Sequence, residues 1–205
     1  MLPHRHIYLA SRSLRRRELL KQIGVSFEVL LLREAPGRSA DFDESPRAGE
    51  DPAGYVQRIA EAKAHAAWTR LIQRRLLRRP VLAADTTVTV DGDILGKPVD
   101  AEEAARFLHR LSGRSHLVHT AVALGLDSRV EVRVSSTEVQ LRPLGEEEIQ
   151  QYVATNEPMD KAGGYAIQGR AAVFVRSISG SYSGVMGLPL FETSELLVRF
   201  GQRVL

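Results

Sequence analysis

Cysteine does not occur anywhere in the 205 residues. Its absence excludes a disulfide framework, a thiolate nucleophile and a cysteine-ligated zinc or iron–sulfur centre, so any metal must be held by oxygen or imidazole. Long apolar runs are missing too: none approaches the roughly 20 residues that a membrane-spanning helix requires. The opening MLPHRHIYLASRS lacks the apolar stretch and small-residue cleavage site of a secretion signal. A cytoplasmic protein without a membrane segment is therefore expected. Lysine is scarce. Of 28 basic residues only Lys21, Lys63, Lys97 and Lys161 are lysines, and the rest are arginines. A chain this biased uses arginine wherever a generic surface cation suffices, so a position that stays lysine points to a need for a compact point charge.

What is present reads as an ordinary globular chain. It is 43% hydrophobic and carries a formal charge of +3, with basic residues scattered rather than gathered in a tract, so no nucleic-acid footprint is compelled. Ile7 to Ala10 reads as a short buried strand and Leu14 to Ile23 as a helix, with Ser11 and Ser13 as cap candidates between them. Val25 to Leu32 is a second apolar strand. A Pro/Gly/acid-rich loop, REAPGRSADFDESPRAGE, follows, and Asp51-Pro52 then starts a helix to about Leu77. Val81 to Ala84 reads as a strand ending on Asp85, and TTVTV-DG-DIL as a hairpin on an Asp-Gly turn. A helix from Ala101 to Leu111, strands at 117–126 and 130–141, a helix at 145–154, a glycine-rich loop DKAGGYAIQG, a strand at 172–178 and a helix at 191–200 complete an α/β pattern.

Four segments could carry chemistry. Ser11-Arg12-Ser13-Leu14-Arg15-Arg16-Arg17 lies between a strand and a helix start, where backbone N–H groups and the positive dipole end favour an anion. Three arginines in a first turn oppose that dipole unless a phosphate or an acidic partner compensates them; a solvated basic turn is the alternative. Lys63 falls inside the stripe Val56, Ile59, Ala60, Ala67 and Leu71 that helical spacing creates, so it must snorkel, pair or serve a site. Asp85, followed by Thr86 and Thr87, sits where a strand of an open α/β sheet tends to meet a ligand; it can hold Mg²⁺ or Mn²⁺, accept a proton from attacking water, or simply cap structure. Gly96-Lys97-Pro98 follows the hairpin, which could return Lys97 towards Asp85. In DKAGGYAIQG the glycines permit close backbone approach, Lys161 supplies a phosphate-compatible charge, and Gln168 can donate to and accept from a base edge. The inventory suits a polyphosphate, a divalent metal and a nucleobase.

The segments LASRSLRRRELL, AADT, GKP and DKAGGYAIQG, with GSYSGVMGLPL and FETSELL after them, resemble in order the motifs of the Maf family of nucleoside triphosphate pyrophosphatases. The resemblance spans nearly the whole chain. It implies a single domain over residues 1–205 with an elongated, two-lobed α/β fold, akin to that of inosine triphosphatases: a mixed, bent sheet flanked by helices, with a central cleft. It also implies cleavage between the α and β phosphates, a Mg²⁺ or Mn²⁺ cofactor and a homodimer, with neither membrane nor stable nucleic-acid partners. Carried over by motif, Asp85 is the proton acceptor, Ser11, Arg15, Arg16, Lys63, Lys97 and Lys161 bind substrate, and Glu44 and Asp85 are metal ligands. Arg15, Thr86 and Gln168, with the wording of the last loops, resemble the branch that hydrolyses dTTP and UTP rather than the 7-methyl-GTP branch. Two positions depart from the family pattern: Arg12 stands where glycine is usual and Leu14 where proline is usual. They leave room for a protein that binds nucleotides without hydrolysing them, as a regulator of cell division.

Overall fold

The computed structural model describes residues 6–32, 41–202 and 204. Its elements in chain order are β1 (His6–Leu9), α1 (Leu14–Gln22), β2 (Ser26–Val29), α2 (Pro52–Gln73), β3 (Val81–Val90), β4 (Asp93–Leu95) and α3 (Ala101–Leu111). They continue with β5 (Ser115–Leu126), β6 (Arg129–Leu141), α4 (Glu146–Val153), β7 (Val175–Ser179), α5 (Tyr182–Val185) and α6 (Leu190–Arg199). Short 3₁₀ turns occupy Glu157–Asp160, Ala162–Gly164 and Arg170–Phe174. The strands form one seven-stranded sheet in the order β2-β1-β3-β5-β6-β7, with β4 paired to β3. It is mixed: β1 pairs parallel with β2 and β3, whereas β3–β4 and β6–β7 are antiparallel. The fold class is α/β.

Local chemistry explains the elements. Asp51 accepts a hydrogen bond from the Gly54 N–H at 2.9 Å, and Pro52 occupies the first helical position, where a missing N–H costs nothing. Asp100 caps α3 by accepting from the Glu103 N–H, with acids in the first turn and His109 and Arg110 in the last, each matching the helix dipole. Asp91 and Gly92, between β3 and β4, both have positive φ (56° and 83°), as a type I′ turn demands.

The chain divides into two compact units. Unit 1 comprises residues up to Asp85, Thr120–Val134 and Gly187 onward. In its core the buried stripe Val56, Ile59, Ala60, Lys63, Ala64, Ala67 and Leu71 forms one face of α2, and its alanines allow close packing with Tyr8, Val81, Ala83, Ala121 and Ala123. Unit 2 comprises Thr86–His119 and Ser135–Met186. Its core joins Val88, Val90 and Leu95 to Leu108, Leu111, Ile149, Tyr152, Tyr165 and Phe174.

Four boundaries differ from the sequence expectation. α2 stops at Gln73, short of Leu77, because Arg75 takes a left-handed φ of 53° and the Leu76 N–H reaches back to Leu71 C=O at 3.1 Å. The apolar stretch 25–32 contains only a short strand, at the end of the strand order, with Val25, Leu30 and Leu32 buried outside it. The expected strand at 172–178 begins as the 3₁₀ turn Arg170–Phe174. β3 does not end at Asp85. It runs ten residues through it to Val90, since the β-branched run TTVTV favours an extended chain as strongly as VLAA does.

Candidate active site

Asp85 therefore lies in the middle of a strand. Residues 81–84 and 87–90 are buried, and only Asp85 and Thr86 interrupt that run with partial exposure. The polar break, rather than a strand end, is what brings a carboxylate to the surface of the sheet.

Lys63 meets it from α2. The Lys63 Nζ donates to Asp85 Oδ1 at 2.8 Å and lies 2.6 Å from Glu44 Oε1, with the Phe42 ring centroid 5.3 Å away. The stem is packed in the apolar stripe; side-chain exposure is 11% for Lys63, 15% for Asp85 and 48% for Glu44. Burial works to lower the lysine pKa, but the Asp85 charge, then the Glu44 charge and the hydrogen bonds to both, outweigh it, and the net shift is upward. Lys63 is thus a fixed cation between two carboxylates. Each carboxylate uses one oxygen on Nζ, which leaves each a second oxygen on the same side-chain group.

Glu44 reaches Lys63 because residues 41–50 are fastened along α2. Tyr55 Oη donates to the Glu44 carbonyl at 3.0 Å. Arg58 grips Glu50 with two hydrogen bonds of 2.6 Å and also donates to the Ser45 carbonyl at 3.1 Å. Arg70 holds the Asp41 carboxylate. The Arg58 hydrogen bond is the main cause that pulls the Glu50 carboxyl down to about 2. Burial, then Asp85 and Glu44, push the Tyr55 phenol up to about 12.

The second constellation of unit 1 is the β1–α1 turn. Ser13 caps α1 by accepting from the Arg16 N–H, and Ser11 Oγ accepts from the Ser13 N–H at 3.2 Å and from Arg16 Nη1 at 3.3 Å. Arg16 Nε donates to the Gly187 carbonyl at 2.7 Å, and Arg12 to the Leu32 carbonyl at 3.4 Å. Arg15 is half-buried. No acidic residue occupies the first turn of α1, and the buried Arg17 Nε has no hydrogen-bond partner among the described residues. A positive helix start crowded with guanidinium groups is suited to an anion with several charged oxygens.

The sequence-derived residues thus fall into two sets. The structure brings Lys63, Asp85 and Glu44 together, and Ser11 with Arg16, all in unit 1 with Arg15. Thr86, Lys97, Lys161 and Gln168 belong to unit 2. Thr86 is half-buried beside Asp85 in β3, Lys97 is exposed after β4, Lys161 pairs with Asp160, and Gln168 is exposed in the glycine-rich loop. Among the described residues no group of three or more His, Asp or Glu side chains is gathered as a metal cluster. Glu44 and Asp85 form a two-carboxylate set, which suits a hard cation that completes its shell with water and phosphate oxygens. Tyr55, Arg58 and Phe42 were not visible as site residues in the sequence. The three-residue spacing of Tyr55 and Arg58 marked only a polar helix face.

The chain is 59% identical over 196 residues to a protein of Aromatoleum aromaticum named dTTP/UTP pyrophosphatase, covering 95% of each chain. A Nitrosomonas europaea protein of the same name is 58% identical, covering 95% of this chain and 94% of its own. One from Dechloromonas aromatica is 51% identical, covering 97% and 99%. The family model described as Maf-like protein matches residues 6–200, and the chain belongs to that family.

Proposed function

We propose that this protein is a nucleoside triphosphate pyrophosphatase that hydrolyses dTTP and UTP to the monophosphate and pyrophosphate. The observation that carries the reading is the Lys63 ammonium held between Asp85 and Glu44, in a chain whose relatives bear that name. Asp85 accepts a proton from water as the water oxygen bonds to the α-phosphorus. The bond from that phosphorus to the α–β bridging oxygen breaks, and pyrophosphate leaves with the bond's electrons. Lys63 fixes the direction of the Asp85 carboxylate by occupying Oδ1. Ser11, Arg15 and Arg16 hold phosphate oxygens at the α1 start, where the dipole and guanidinium charge oppose the charge building on the leaving group. A divalent cation, Mg²⁺ or Mn²⁺, fits the oxygens of Glu44 and Asp85 and when bound supplies charge neutralisation to the phosphates. Lys97 and Lys161 add phosphate contacts, while Arg15, Thr86 and Gln168 select the pyrimidine. The protein acts in the cytoplasm as a homodimer.

The test is product analysis. Purified protein is incubated with Mg²⁺ or Mn²⁺ and UTP, dTTP, GTP or 7-methyl-GTP, and products are separated by ion exchange. UMP or dTMP with stoichiometric pyrophosphate is expected, with the two pyrimidines preferred. Release of orthophosphate, a preference for 7-methyl-GTP, or no turnover of any triphosphate would overturn the reading.

A further inference from the structure

The glycine-rich loop of unit 2 has a fastening that neither its motif nor its proposed role accounts for. Glu157, one residue past the left-handed Asn156, opens a 3₁₀ turn and points its carboxylate at the loop rather than at solvent. Its Oε1 accepts from the Tyr152 phenol at 2.9 Å, and its Oε2 accepts from the Arg170 N–H at 3.1 Å. The same Tyr152 oxygen accepts from the Ala166 N–H at 3.2 Å. Tyr152 itself is buried and packed edge-on against Phe174 at 5.3 Å between ring centroids. Gly169 lies so close that a Cβ there would overlap the Glu157 carboxylate. The backbone is therefore held at Ala166, Gly169 and Arg170, on both sides of the exposed Gln168.

The energetics favour a deliberate clamp. A buried phenol needs a partner, and a carboxylate that accepts two hydrogen bonds is a strong one. With the backbone held at both flanks, Gln168 projects from a fixed stretch of chain. An unclamped segment Ala166-Ile167-Gln168-Gly169-Arg170 would sample more directions and lose selectivity to the entropy of ordering.

We propose that Tyr152 and Glu157 are positioning residues for substrate selection: by clamping the backbone at residues 166–170 they fix the place from which Gln168 offers its amide and thereby set the preference for a pyrimidine base. This inference rests on the reading of Gln168 as the base-contacting residue. Neither Tyr152 nor Glu157 touches substrate in it.

The experiment measures kcat/KM for UTP and for GTP in wild type, Gln168→Ala, Tyr152→Phe, Glu157→Gln and the double variant Tyr152→Phe/Gln168→Ala. Arg170→Pro is added, with Arg170→Ala as the control for the lost exposed side chain, because it deletes the N–H that Glu157 Oε2 receives, at an exposed first position of a 3₁₀ turn preceded by an extended Gly169 (φ −103°, ψ −153°), where proline fits. It keeps the test decisive if a change at buried Tyr152 prevents folding. Each clamp variant is expected to lower the UTP-to-GTP ratio by about tenfold, through a higher KM for UTP, and Tyr152→Phe to add nothing further to the ratio in the Gln168→Ala background. A clamp with a merely structural role would lower the melting temperature and leave the ratio alone. An unchanged ratio in the clamp variants, with a collapsed ratio in Gln168→Ala, overturns the positioning role and leaves the reading of Gln168 intact. An unchanged ratio in Gln168→Ala overturns both.

Discussion

Replacing Asp85 by asparagine separates the chemical from the structural work of this carboxylate. Asparagine preserves the shape and leaves an amide oxygen where Oδ1 receives the Lys63 ammonium at 2.8 Å. A charge-assisted hydrogen bond contributes about 1.5–3 kcal/mol and one to a neutral acceptor about 0.5–1.5, so the folded state should lose about 1–1.5 kcal/mol. Lys63 keeps its 2.6 Å contact with Glu44, which prevents the larger cost of an orphaned buried cation. For a chain of this size that loss lowers Tm by roughly 2–6 °C. Turnover behaves differently. Removing a general base costs about 10²- to 10⁴-fold in kcat, so pyrophosphate release from saturating UTP should fall at least 100-fold while calorimetry reports a nearly intact fold.

The direction of the lysine shift adds a pH arm. A folded pKa raised above 10.5 means that the stabilisation is fully present below pH 10.5 and is lost as pH rises through the folded value. The Tm difference between wild type and Asp85→Asn should stay constant from pH 7 to about 10 and narrow only beyond the ordinary lysine range. A variant that retains kcat within threefold of wild type would remove Asp85 as proton acceptor. A Tm difference that closes near neutral pH would refute the pairing with Lys63.

Three further perturbations follow from particular contacts. Arg58→Gln loses the paired contact with Glu50 and the hold on Ser45, so it should raise the rate of proteolytic cleavage within 43–50 and lower kcat/KM by about tenfold as Glu44 loses its fixed position; unchanged kinetics would show that residues 41–50 need no fastening. Leu14→Pro should stabilise by about 0.4–1 kcal/mol, read as a rise in Tm, because Leu14 is 68% exposed at the first position of α1 and Ser13 already has the extended backbone that precedes proline (φ −61°, ψ 120°). A fall in Tm would mean that the Leu14 N–H or side chain is needed. Buried His116, whose Nε2 is hydrogen-bonded to the Tyr165 hydroxyl at 2.7 Å, has its pKa lowered by burial from 6.5 to about 4. Its unfolded form binds the extra proton, so stability is full above pH 6.5 and falls by about 3 kcal/mol as pH drops to 4. Urea unfolding of wild type against His116→Gln at pH 7.5, 5.5 and 4.5 should show the wild type losing its advantage; parallel curves would refute this.

Much of this was legible in the residues because it depends on spacing along one element. The stripe Val56, Ile59, Ala60, Ala67 and Leu71 exposes Lys63 as a misfit through helical period alone, and Asp51-Pro52 and Asp91-Gly92 announce their cap and turn through side-chain chemistry. The end of α2 was not legible, since Arg75 carries the left-handed conformation usually left to glycine. Nor was the continuity of β3 through Asp85, because a carboxylate inside an apolar run reads as a boundary when only the partner strands can show that the run goes on. The arrival of Glu44 at Lys63 lies furthest from sequence reasoning. Motif resemblance could nominate the acid, but its position is set by polar contacts of Tyr55, Arg58 and Arg70 that helical period alone does not reveal. A polar helix face that fastens a loop and one that meets only water have the same composition. What separates them is whether the loop carries groups complementary to those on the helix: Glu44, Ser45 and Glu50 for Tyr55 and Arg58, and Asp41 for Arg70. The geometry at Asp85 is therefore a property of the 41–50 segment as much as of the strand that bears the carboxylate, and changes in that segment should alter turnover before they alter the fold.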